Sequence, residues 1–417
     1  MMRIIADLHI HSPYARAVSK EMTLDNLDTW AKIKGITVMG TGDFTHPQWM
    51  KEIKSRLEPA ESGLYKIKGK SQGTRFLLTV EISSIYSKGG KTRRIHKLIF
   101  SPSIETVEKI NKTLGFLGNI KSDGRPILGL DARELAKIVF DIDERCMVVP
   151  AHAWTPWFSV FGSMSGFDSL EECFEEYAQY IYAIETGLSS DPEMNWRVSN
   201  LDHIALISNS DSHSLRRIGR EANVLECPLS YDGIMAAIKS HDPKRFLFTV
   251  EFFPEEGKYH YDGHRTCKFS CAPEETKKLN NLCKTCAKRM TIGVMNRIDV
   301  LADRVAGKKP KNAIPFKRMV TLDTIIAESF GVGVASKKVK AAYNDLIGSL
   351  GTEFGILIDA KLSDVASVAT PEILEAIKRV REGRLSIIPG YDGEYGTVTI
   401  FQKNERIGRN AQANLFI

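Results

Sequence analysis

The sequence contains no apolar run long enough to cross a membrane, which takes about 20 residues, and no internal repeat or low-complexity tract. Its first residues are strand-like and lack the pattern of a secretory signal. These absences exclude a membrane protein and favour a globular chain. We therefore expect a cytoplasmic protein with no membrane partner.

The overall composition is that of a globular protein with a sizeable core. The chain has 417 residues, of which 43% are hydrophobic and 26% charged, and this length predicts two or three domains. The net charge of +6 is a mild sign of an anionic partner. Charge alone does not separate nucleic acid from a small phosphorylated metabolite.

Apolar runs alternate with amphipathic segments from the start of the chain to about residue 225. The runs are RIIADLHIH, ITVMGTGDF, RFLLTVEIS, RIHKLIFS, CMVVPAHAW, YIYAIETG and HIALISNSDSH. This alternation predicts parallel βαβ units. Six of the runs carry a His, Asp or Glu at or near their end, and RIHKLIFS is the exception. Functional groups of a β/α barrel lie at the C-terminal strand ends, so we expect one barrel mouth lined with ligands.

The polar residues of these runs form a candidate metal centre. In a strand, Asp7, His9 and His11 would share one face. A mixed set of imidazoles and carboxylates suits Zn²⁺, Mn²⁺ or Fe²⁺, and two or more close ions are a device for phosphoester hydrolysis. The candidate metal ligands are His9, His11, Asp43, His46, Glu81, His96, His152, Glu185, Asp211 and His213.

The order of these motifs resembles the polymerase-and-histidinol-phosphatase (PHP) family. The resemblance implies a distorted seven-stranded β/α barrel that holds two or three divalent ions of the Zn, Mn or Mg type. It implies that His9, His11, Glu81 and Asp211 share one ion, that Glu81 bridges to a second ion held by His96 and His152, and that His213 helps to hold a third. The sequence departs from the family at GTGDFTH, where Phe44 replaces the usual His and His46 comes two residues late.

Two carboxylates are candidates for a catalytic role. Glu81 is one, as the bridging ligand. Asp191, in ETGLSSDPEMNW, is the other, since it could position water or a substrate group in the mouth. Asp191 is an equally good helix N-cap, because Pro192 follows it.

Cysteine is scarce in the chain, and four of the seven cysteines form a cluster. Cys267-x3-Cys271-x11-Cys283-x2-Cys286 has the paired spacing of a structural zinc site with four thiolate ligands, which favours one Zn²⁺ over free cysteines or disulfides. The surrounding Lys, Arg, His and Tyr residues form a plausible nucleic-acid surface. The single residues Cys146, Cys173 and Cys227 are expected to be small buried hydrophobes.

These patterns divide the chain into three predicted domains. They are a PHP barrel over residues 1–245, a zinc-binding domain over 246–317 and a helical C-terminal domain over 318–417. A Gly-x-Gly turn opens a basic helix in FGVGVASKKV, a place where backbone N–H groups can meet a DNA phosphate. The candidate DNA-binding residues are Lys337, Lys338, Lys340, His260 and Tyr261. The last residues, AQANLFI, loosely resemble a tail that binds a sliding clamp.

The whole chain resembles the endonuclease Q family. The match is carried by ADLHIHSPYARAVS, GTGDFTHP, SNSDSH, EEGKYHYDGHR, TIGVMNRIDVLADR, GVGVASKKV and PGYDGEYG. The resemblance implies hydrolysis of the phosphodiester 5′ of hypoxanthine, uracil, xanthine or an abasic site in double-stranded DNA. Two alternatives stay open: a phosphatase of a small phosphomonoester such as histidinol phosphate, and a DNA-binding protein without activity.

Overall fold

The strands confirm the predicted runs. The computed structural model describes residues 1–402 and Glu405, and each of the seven runs contains a strand. The strands are β1 Met2–Asp7, β2 Val38–Gly40, β3 Leu57–Pro59, β4 Tyr65–Ile67, β5 Arg75–Lys88, β6 Lys91–Ser101, β7 Ile127–Leu128, β8 Met147–Pro150, β9 Ala183–Glu185, β10 Ala205–Ile207, β11 Ala222–Cys227, β12 Phe246–Glu251, β13 Asp262–His264, β14 Phe269–Cys271, β15 Phe316–Arg318, β16 Ser386–Ile388 and β17 Thr397–Thr399.

The main sheet is mixed and contains antiparallel pairs beside the parallel ones that the alternation of strands and helices predicts. Its order is β15-β12-β11-β1-β2-β5-β4-β3; β6 and β7 also pair with β5, and β8 pairs with β6. The β1–β2 and β2–β5 pairs are parallel, but β1–β11 and β5–β6 are antiparallel. The β5–β6 reversal is a tight hairpin in which Gly89 and Gly90 both have positive φ. Gly-Gly is a strong hairpin signal, so this connection could have been recognised from the sequence.

Helices alternate with the barrel strands and form the C-terminal region. They are α1 Leu24–Lys34, α2 Pro47–Arg56, α3 Ile104–Leu117, α4 Ala132–Ile142, α5 Leu170–Phe174, α6 Pro192–Asn195, α7 Tyr231–Lys239, α8 Pro273–Lys278, α9 Val294–Leu301, α10 Leu322–Phe330, α11 Lys337–Leu350, α12 Leu362–Ala366 and α13 Pro371–Arg381. Local signals fix their ends. In α1, for example, the Thr23 side chain accepts from the Asn26 N–H, and Gly35 ends the helix at φ 91°. Among the described helices, none is long and apolar enough to span a membrane.

The cysteines lie in a unit between two strands of the main sheet. Phe246–Glu251 (β12) pairs with β11, so the sheet continues past the predicted boundary at residue 245. After the chain has formed the cysteine unit (residues 252–315), Phe316–Arg318 (β15) returns to pair with β12 in parallel. The barrel sheet therefore includes strands on both sides of this unit.

The helical unit (residues 319–385) packs against the barrel through buried polar contacts as well as apolar ones. Lys34 Nζ at the end of α1 lies 2.8 Å from Glu353 Oε2, and both side chains are buried. The Tyr343 hydroxyl donates to the same oxygen at 2.6 Å. Because one carboxylate joins a barrel helix to α11, the two units have a fixed contact.

Candidate metal centre

The first ligand group lies just beyond the end of β1. His9, His11 and Asp211 each present one ligand atom, and these atoms all lie within 4.8 Å of one another. His11 Nε2 is 3.1 Å and His9 Nε2 is 3.6 Å from Asp211 Oδ1. All three atoms are buried without a hydrogen-bond partner among the described residues. Buried polar atoms are normally satisfied, so this arrangement fits a bound cation.

The second ligand group consists of Glu81 on β5, His96 on β6 and His152 after β8. His96 Nδ1 lies 2.7 Å and His152 Nε2 lies 3.0 Å from Glu81 Oε1. His96 stands opposite Ser83 in the β5–β6 ladder, and this register brings its ring to the strand that carries Glu81. The hairpin therefore supplies two members of the group.

Glu81 connects the two ligand groups. Its Oε1 atom faces His96 and His152, while Oε2 lies 3.3 Å from His11 Nε2 and 3.6 Å from His9 Nε2. Burial alone would raise the pKa of Glu81, but the neighbouring His96 and Arg125 hold the pKa well below its usual range. The side chain is therefore a carboxylate, and each of its oxygens is available to a different ion.

Two predicted ligands, Asp43 and Glu185, lie behind the histidines. Asp43 Oδ1 is 3.0 Å from His11 Nδ1, and Glu185 Oε1 is 3.0 Å from His9 Nδ1. Each carboxylate also accepts a backbone N–H, from Ser12 and from His152 respectively. Contacts of this kind fix the tautomer of a metal-binding histidine and raise its basicity. In this geometry Asp43 and Glu185 orient ligands.

The backbone is left-handed at three positions of the centre. Asp43, His152 and Asp211 have φ of 49°, 31° and 45° and directly follow strand ends or short loops. Non-glycine residues in this region are uncommon and cluster at functional sites. Gly187 makes the conformation of His152 possible, because a Cβ at Gly187 would lie 2.6 Å from the Cβ of His152.

The remaining predicted ligands lie at the edges of the centre. The His213 ring is 4.8 Å from that of His11, and its Nδ1 lies 2.9 Å from the Asp211 carbonyl oxygen. His46 is the N-cap of α2 and stacks on Tyr14 at 4.6 Å, outside both ligand groups. Asp7 also stays outside them, because its oxygens accept the backbone N–H groups of Ser210 and Gly219.

Arg125 is a member of the site that the sequence did not reveal. Its Nη1 lies 3.0 Å from Glu81 Oε2, and its side chain is 29% exposed. The side chains of Asp211 and His213 are 25% and 34% exposed, while those of His9, His11 and Glu81 are buried. The centre therefore opens to solvent beside an arginine. Arg125 lies in SDGRPIL, which carries no recognisable motif.

Asp191 occupies a structural position in this molecule. Its Oδ1 accepts the Met194 N–H at 3.0 Å, which makes it the N-cap of α6, and its Oδ2 pairs with Arg318 on β15. The side chain is fully buried. None of its described hydrogen bonds reaches a residue of the two ligand groups. These contacts fit the N-cap interpretation, and the catalytic role of Asp191 stays a prediction.

The cysteine cluster differs from the predicted four-cysteine set. Ligand atoms of His264, Cys267, Cys283 and Cys286 come together, whereas the sulfur of Cys271 lies 3.2 Å from Thr276 Oγ1. Cys271 ends β14 and packs into the small core of the unit with Phe269 and Met290. Burial raises the pKa of Cys283, but N–H donors from Thr285 and Cys286 lower it to about 6. A thiolate at neutral pH suits a zinc ligand.

The candidate DNA-binding residues fall into two places. Lys337, Lys338 and Lys340 are exposed in the first turn of α11, where the Ser336 side chain caps the helix. His260 is buried against Tyr261, at 5.2 Å between ring centroids, so it does not present a free surface. The tail AQANLFI predicted to bind a clamp lies outside the described residues.

Comparisons with known proteins match this chain over its full length. A family model for the MJ0043 C-terminal domain matches residues 321–384, within the helical unit. The uncharacterized protein YqxK of Bacillus subtilis is 31% identical over 418 residues, which cover 95% of this chain and 100% of that protein. The uncharacterized protein MJ0043 of Methanocaldococcus jannaschii is 30% identical over 258 residues, 60% of this chain, and the chain spans only 31% of its length.

Two solved structures share the fold. The lesion-specific endonuclease Q of Pyrococcus furiosus superposes with a TM-score of 0.86 at 32% identity, covering 99% of both chains. An endonuclease Q bound to a 27-mer duplex substrate with an abasic lesion at the active site superposes with a TM-score of 0.85 at 32% identity, over 99% of this chain and 100% of the other.

The fold and the paired ligand groups, taken with these matches, define a nuclease, that is, an enzyme that hydrolyses phosphodiesters. The Glu81-centred arrangement is the part of the molecule suited to that chemistry. The chain belongs to the endonuclease Q family.

Proposed function

We propose that this chain is a DNA repair endonuclease that uses divalent metal ions to cut the phosphodiester 5′ of hypoxanthine, uracil, xanthine or an abasic site in double-stranded DNA. One observation carries the proposal: Glu81 presents one carboxylate oxygen to each of two ligand groups. The full-length similarity to a lesion-specific endonuclease, and to one bound to a duplex with an abasic lesion, supports the choice of substrate.

The proposed ions number two or three, of the Zn, Mn or Mg type. His9, His11, Asp211 and Glu81 would hold one ion, and Glu81, His96 and His152 a second, with His213 at the edge for a third. Divalent ions bound by these residues would supply Lewis-acid activation of water and would neutralise phosphate charge. The buried Nε2 atoms of His9 and His11, which have no hydrogen-bond partner in the described part of the chain, fit this assignment.

The chain's own residues have separate tasks in the proposed reaction. Asp43 and Glu185 keep His11 and His9 in the tautomer that leaves Nε2 free. Arg125, at the open side of the centre, would donate to a non-bridging phosphate oxygen and so hold the scissile group beside Glu81. Glu81 would be shared between the two ions, and a catalytic role of Asp191 stays a prediction.

DNA binding is proposed to extend beyond the barrel. The net charge of +6 favours a polyanion, and the exposed Lys337, Lys338 and Lys340 offer cations to phosphates near the start of α11. We keep three functional units: the catalytic barrel, the cysteine unit with one structural Zn²⁺ and the helical unit. Clamp binding by the tail and a cytoplasmic location stay predictions.

The test uses end-labelled duplexes that differ in one nucleotide: deoxyinosine, deoxyuridine, deoxyxanthosine, an abasic site or the normal base. Purified protein is added with Mg²⁺, Mn²⁺ or Zn²⁺, and the products are resolved beside a sequencing ladder. We expect cuts only in the lesion strands, at the bond 5′ of the altered nucleotide. A metal-loaded protein that cuts none of them, yet hydrolyses histidinol phosphate or p-nitrophenyl phosphate, would overturn the proposal in favour of a small-molecule phosphatase.

A further inference from the structure

Arg94 lies on the same face of β6 as the metal-ligand candidate His96, two residues nearer to the hairpin turn. Side chains alternate along a strand, so Arg94, His96 and Leu98 share one face. The two hydrophobic cores confirm this alternation, because Leu98 belongs to one core and Ile95 to the other. The Arg94 side chain therefore leaves the strand on the side of the second ligand group.

The strand directions place Arg94 at the mouth of the barrel. In the β5–β6 ladder, His96 stands opposite Ser83 and Arg94 stands opposite Ile85, so Arg94 is closer to the turn. This turn follows the C-terminal end of β5, which is the end where sites of β/α barrels lie. Two strand residues span about 7 Å, so Arg94 lies just outside the second ligand group on its open side.

The loop after β8 fixes the position of Arg94 relative to His96. The Arg94 N–H donates to the Ser165 carbonyl oxygen at 3.4 Å, and the Ser165 hydroxyl donates to the Arg94 carbonyl oxygen at 3.3 Å. The His96 N–H donates to the Phe158 carbonyl oxygen at 3.0 Å. The Phe158 ring centroid lies 4.8 Å from that of His96 and 5.9 Å from Arg94 Cζ. One aromatic ring therefore separates the guanidinium from a proposed metal ligand.

The guanidinium of Arg94 is half-buried and has its donors available. Within the described residues it makes no hydrogen bond and no ion pair, and its recorded side-chain contact is the one with Phe158. Its neighbour Arg93 differs, because Arg93 donates to the Gly166 carbonyl oxygen and lies 3.9 Å from the Phe167 ring centroid. A guanidinium offers five N–H donors in a planar fork that matches the oxygens of a phosphate.

Two arginines thus flank the carboxylate that joins the ligand groups. Arg125 contacts Glu81 Oε2, the oxygen that faces His9 and His11, whereas Arg94 lies beyond His96, which faces Oε1. A scissile phosphate beside Glu81 is within reach of Arg125. Arg94 is displaced from the ligands by about 7 Å along its strand, a distance comparable with the spacing of neighbouring phosphates in a nucleic-acid strand.

Building on the proposed function, we infer that Arg94 is a positioning residue that binds the phosphate next to the scissile one on the strand that is cut. This contact fixes the register of the strand over the ligand groups. A small phosphomonoester has no second phosphate at this distance, so the contact favours a polynucleotide. Because the contacted phosphate does not react, the contact is equally strong before and during the reaction and acts on KM.

The experiment removes the charge from one partner at a time. Three abasic duplexes are compared: one with natural phosphates, and two with a neutral methylphosphonate at the phosphate immediately 5′ or 3′ of the scissile one. For the unaltered protein, kcat/KM should fall by about tenfold at one of these two positions. Arg94→Gln should lose about tenfold on the natural duplex, through KM, and should lose less than about twofold more with that methylphosphonate.

Lys91→Gln is the matched control for Arg94→Gln. Lys91 is an exposed cation of the same strand, and its odd position puts it on the face opposite to His96. This variant should keep the full methylphosphonate effect of the unaltered protein. Arg94→Lys keeps the charge without the planar fork, so its KM on the natural duplex should lie between those of the unaltered protein and Arg94→Gln.

The outcomes separate this inference from the proposed function. If the unaltered protein does not cut the natural abasic duplex, the proposed function fails. If it cuts that duplex, but the methylphosphonates weaken Arg94→Gln as much as Lys91→Gln, Arg94 does not hold a neighbouring phosphate. A fall in kcat alone, equal on all three duplexes, would also overturn the inference, since it would mean that Arg94 acts through Phe158 and His96 on the ligand group. Metal content and thermal unfolding establish that each variant is folded.

Discussion

The barrel centre and the cysteine cluster are two ligand sites of opposite design. In the barrel, His9 and His11 are buried, and a carboxylate backs each ring. In the cysteine unit, Cys286 is exposed, and the ligands lie at the end of β13 and in the turns that follow it. The surrounding fold positions the ligands of the first site. At the second site, metal binding would itself order the residues around it.

This difference predicts different consequences of damage. A substitution at the barrel centre should weaken metal binding or misorient a ligand, while the hydrophobic core of the sheet remains intact. A change at the cysteine cluster removes the main cross-link of a unit with a core of four buried residues. Activity should report on the first site, and local folding on the second.

The largest effect is expected for Glu81→Gln. An amide cannot give one anionic oxygen to each of two ions, and Arg125 also loses its partner. Cleavage of an abasic duplex should fall by about 10³-fold. Gel assays measure the rate, and metal analysis should still find the zinc of the cysteine cluster.

Glu144→Gln is the control for this change, since Glu144 is an exposed glutamate that belongs to none of the described ligand groups. If the Glu81→Gln protein cuts at more than a tenth of the normal rate, the two ligand groups do not need a carboxylate at position 81.

The next effect is that of Asp43→Asn. The amide still fills the space but no longer offers His11 a carboxylate, so metal affinity should fall by about 10- to 100-fold. Titration of cleavage with Mn²⁺ measures this shift. Excess Mn²⁺ should restore most of the rate; a rate that stays low at saturating metal would mean that Asp43 has a task beyond orienting His11.

The cysteine cluster yields a paired prediction. His264→Ala should lose the zinc ion and expose residues 264–290 to rapid amide exchange, while β1 and β5 keep their protection. Cys271→Ser should retain zinc, because its sulfur lies on Thr276. Metal analysis and hydrogen exchange measure both variants. The reverse result, zinc lost in Cys271→Ser and kept in His264→Ala, would show that the four cysteines hold the zinc and that His264 does not.

The smallest effect concerns a buried acid beneath the barrel centre. Burial raises the pKa of Glu251 to about 8, while its Oε2 accepts from Thr186 Oγ1 at 3.0 Å. The unfolded chain loses this proton near its ordinary value of 4.5, so folding is increasingly disfavoured as pH rises between the two values. Glu251→Gln removes that penalty and should stabilise the protein at pH 9 by about 2 kcal/mol.

Thermal unfolding at pH 5 and pH 9 measures this difference. The gain from Glu251→Gln should be a few degrees at pH 9 and smaller at pH 5. A gain that is equal at both values would indicate better packing of the amide and not relief of a charge.

Local motifs explain why so much of the barrel centre could be predicted. His9 and His11 follow a strand, and SDSH places Asp211 and His213 after another, so short windows of sequence were enough. Whether a carboxylate binds an ion or the histidine beside it depends on differences in distance of about 1 Å. Neither hydrophobic periodicity nor motif spacing resolves such differences. The sequence therefore predicts that Asp43 and Glu185 belong to this site, and it does not distinguish an ion ligand from a partner of His11 or His9.

Residues brought in by tertiary packing could not be predicted. Arg125 reaches Glu81 from a loop without a motif. His264 joins the cysteines because β13 and β14 pair, with His264 opposite Phe269, and this pairing turns Cys271 into the core. The Cys-x3-Cys spacing could not distinguish a ligand from a core residue.

The return of Phe316–Arg318 to the side of Phe246–Glu251 makes the cysteine unit an insertion. Its two ends leave and re-enter the sheet on neighbouring strands, which lie about 4.8 Å apart. Because the two strands run parallel, any segment that replaces the unit has to cross from the end of Phe246–Glu251 back to the start of Phe316–Arg318. The inserted unit can therefore differ in length and sequence from one relative to another, while the strands that carry the ligand groups keep their hydrogen bonds.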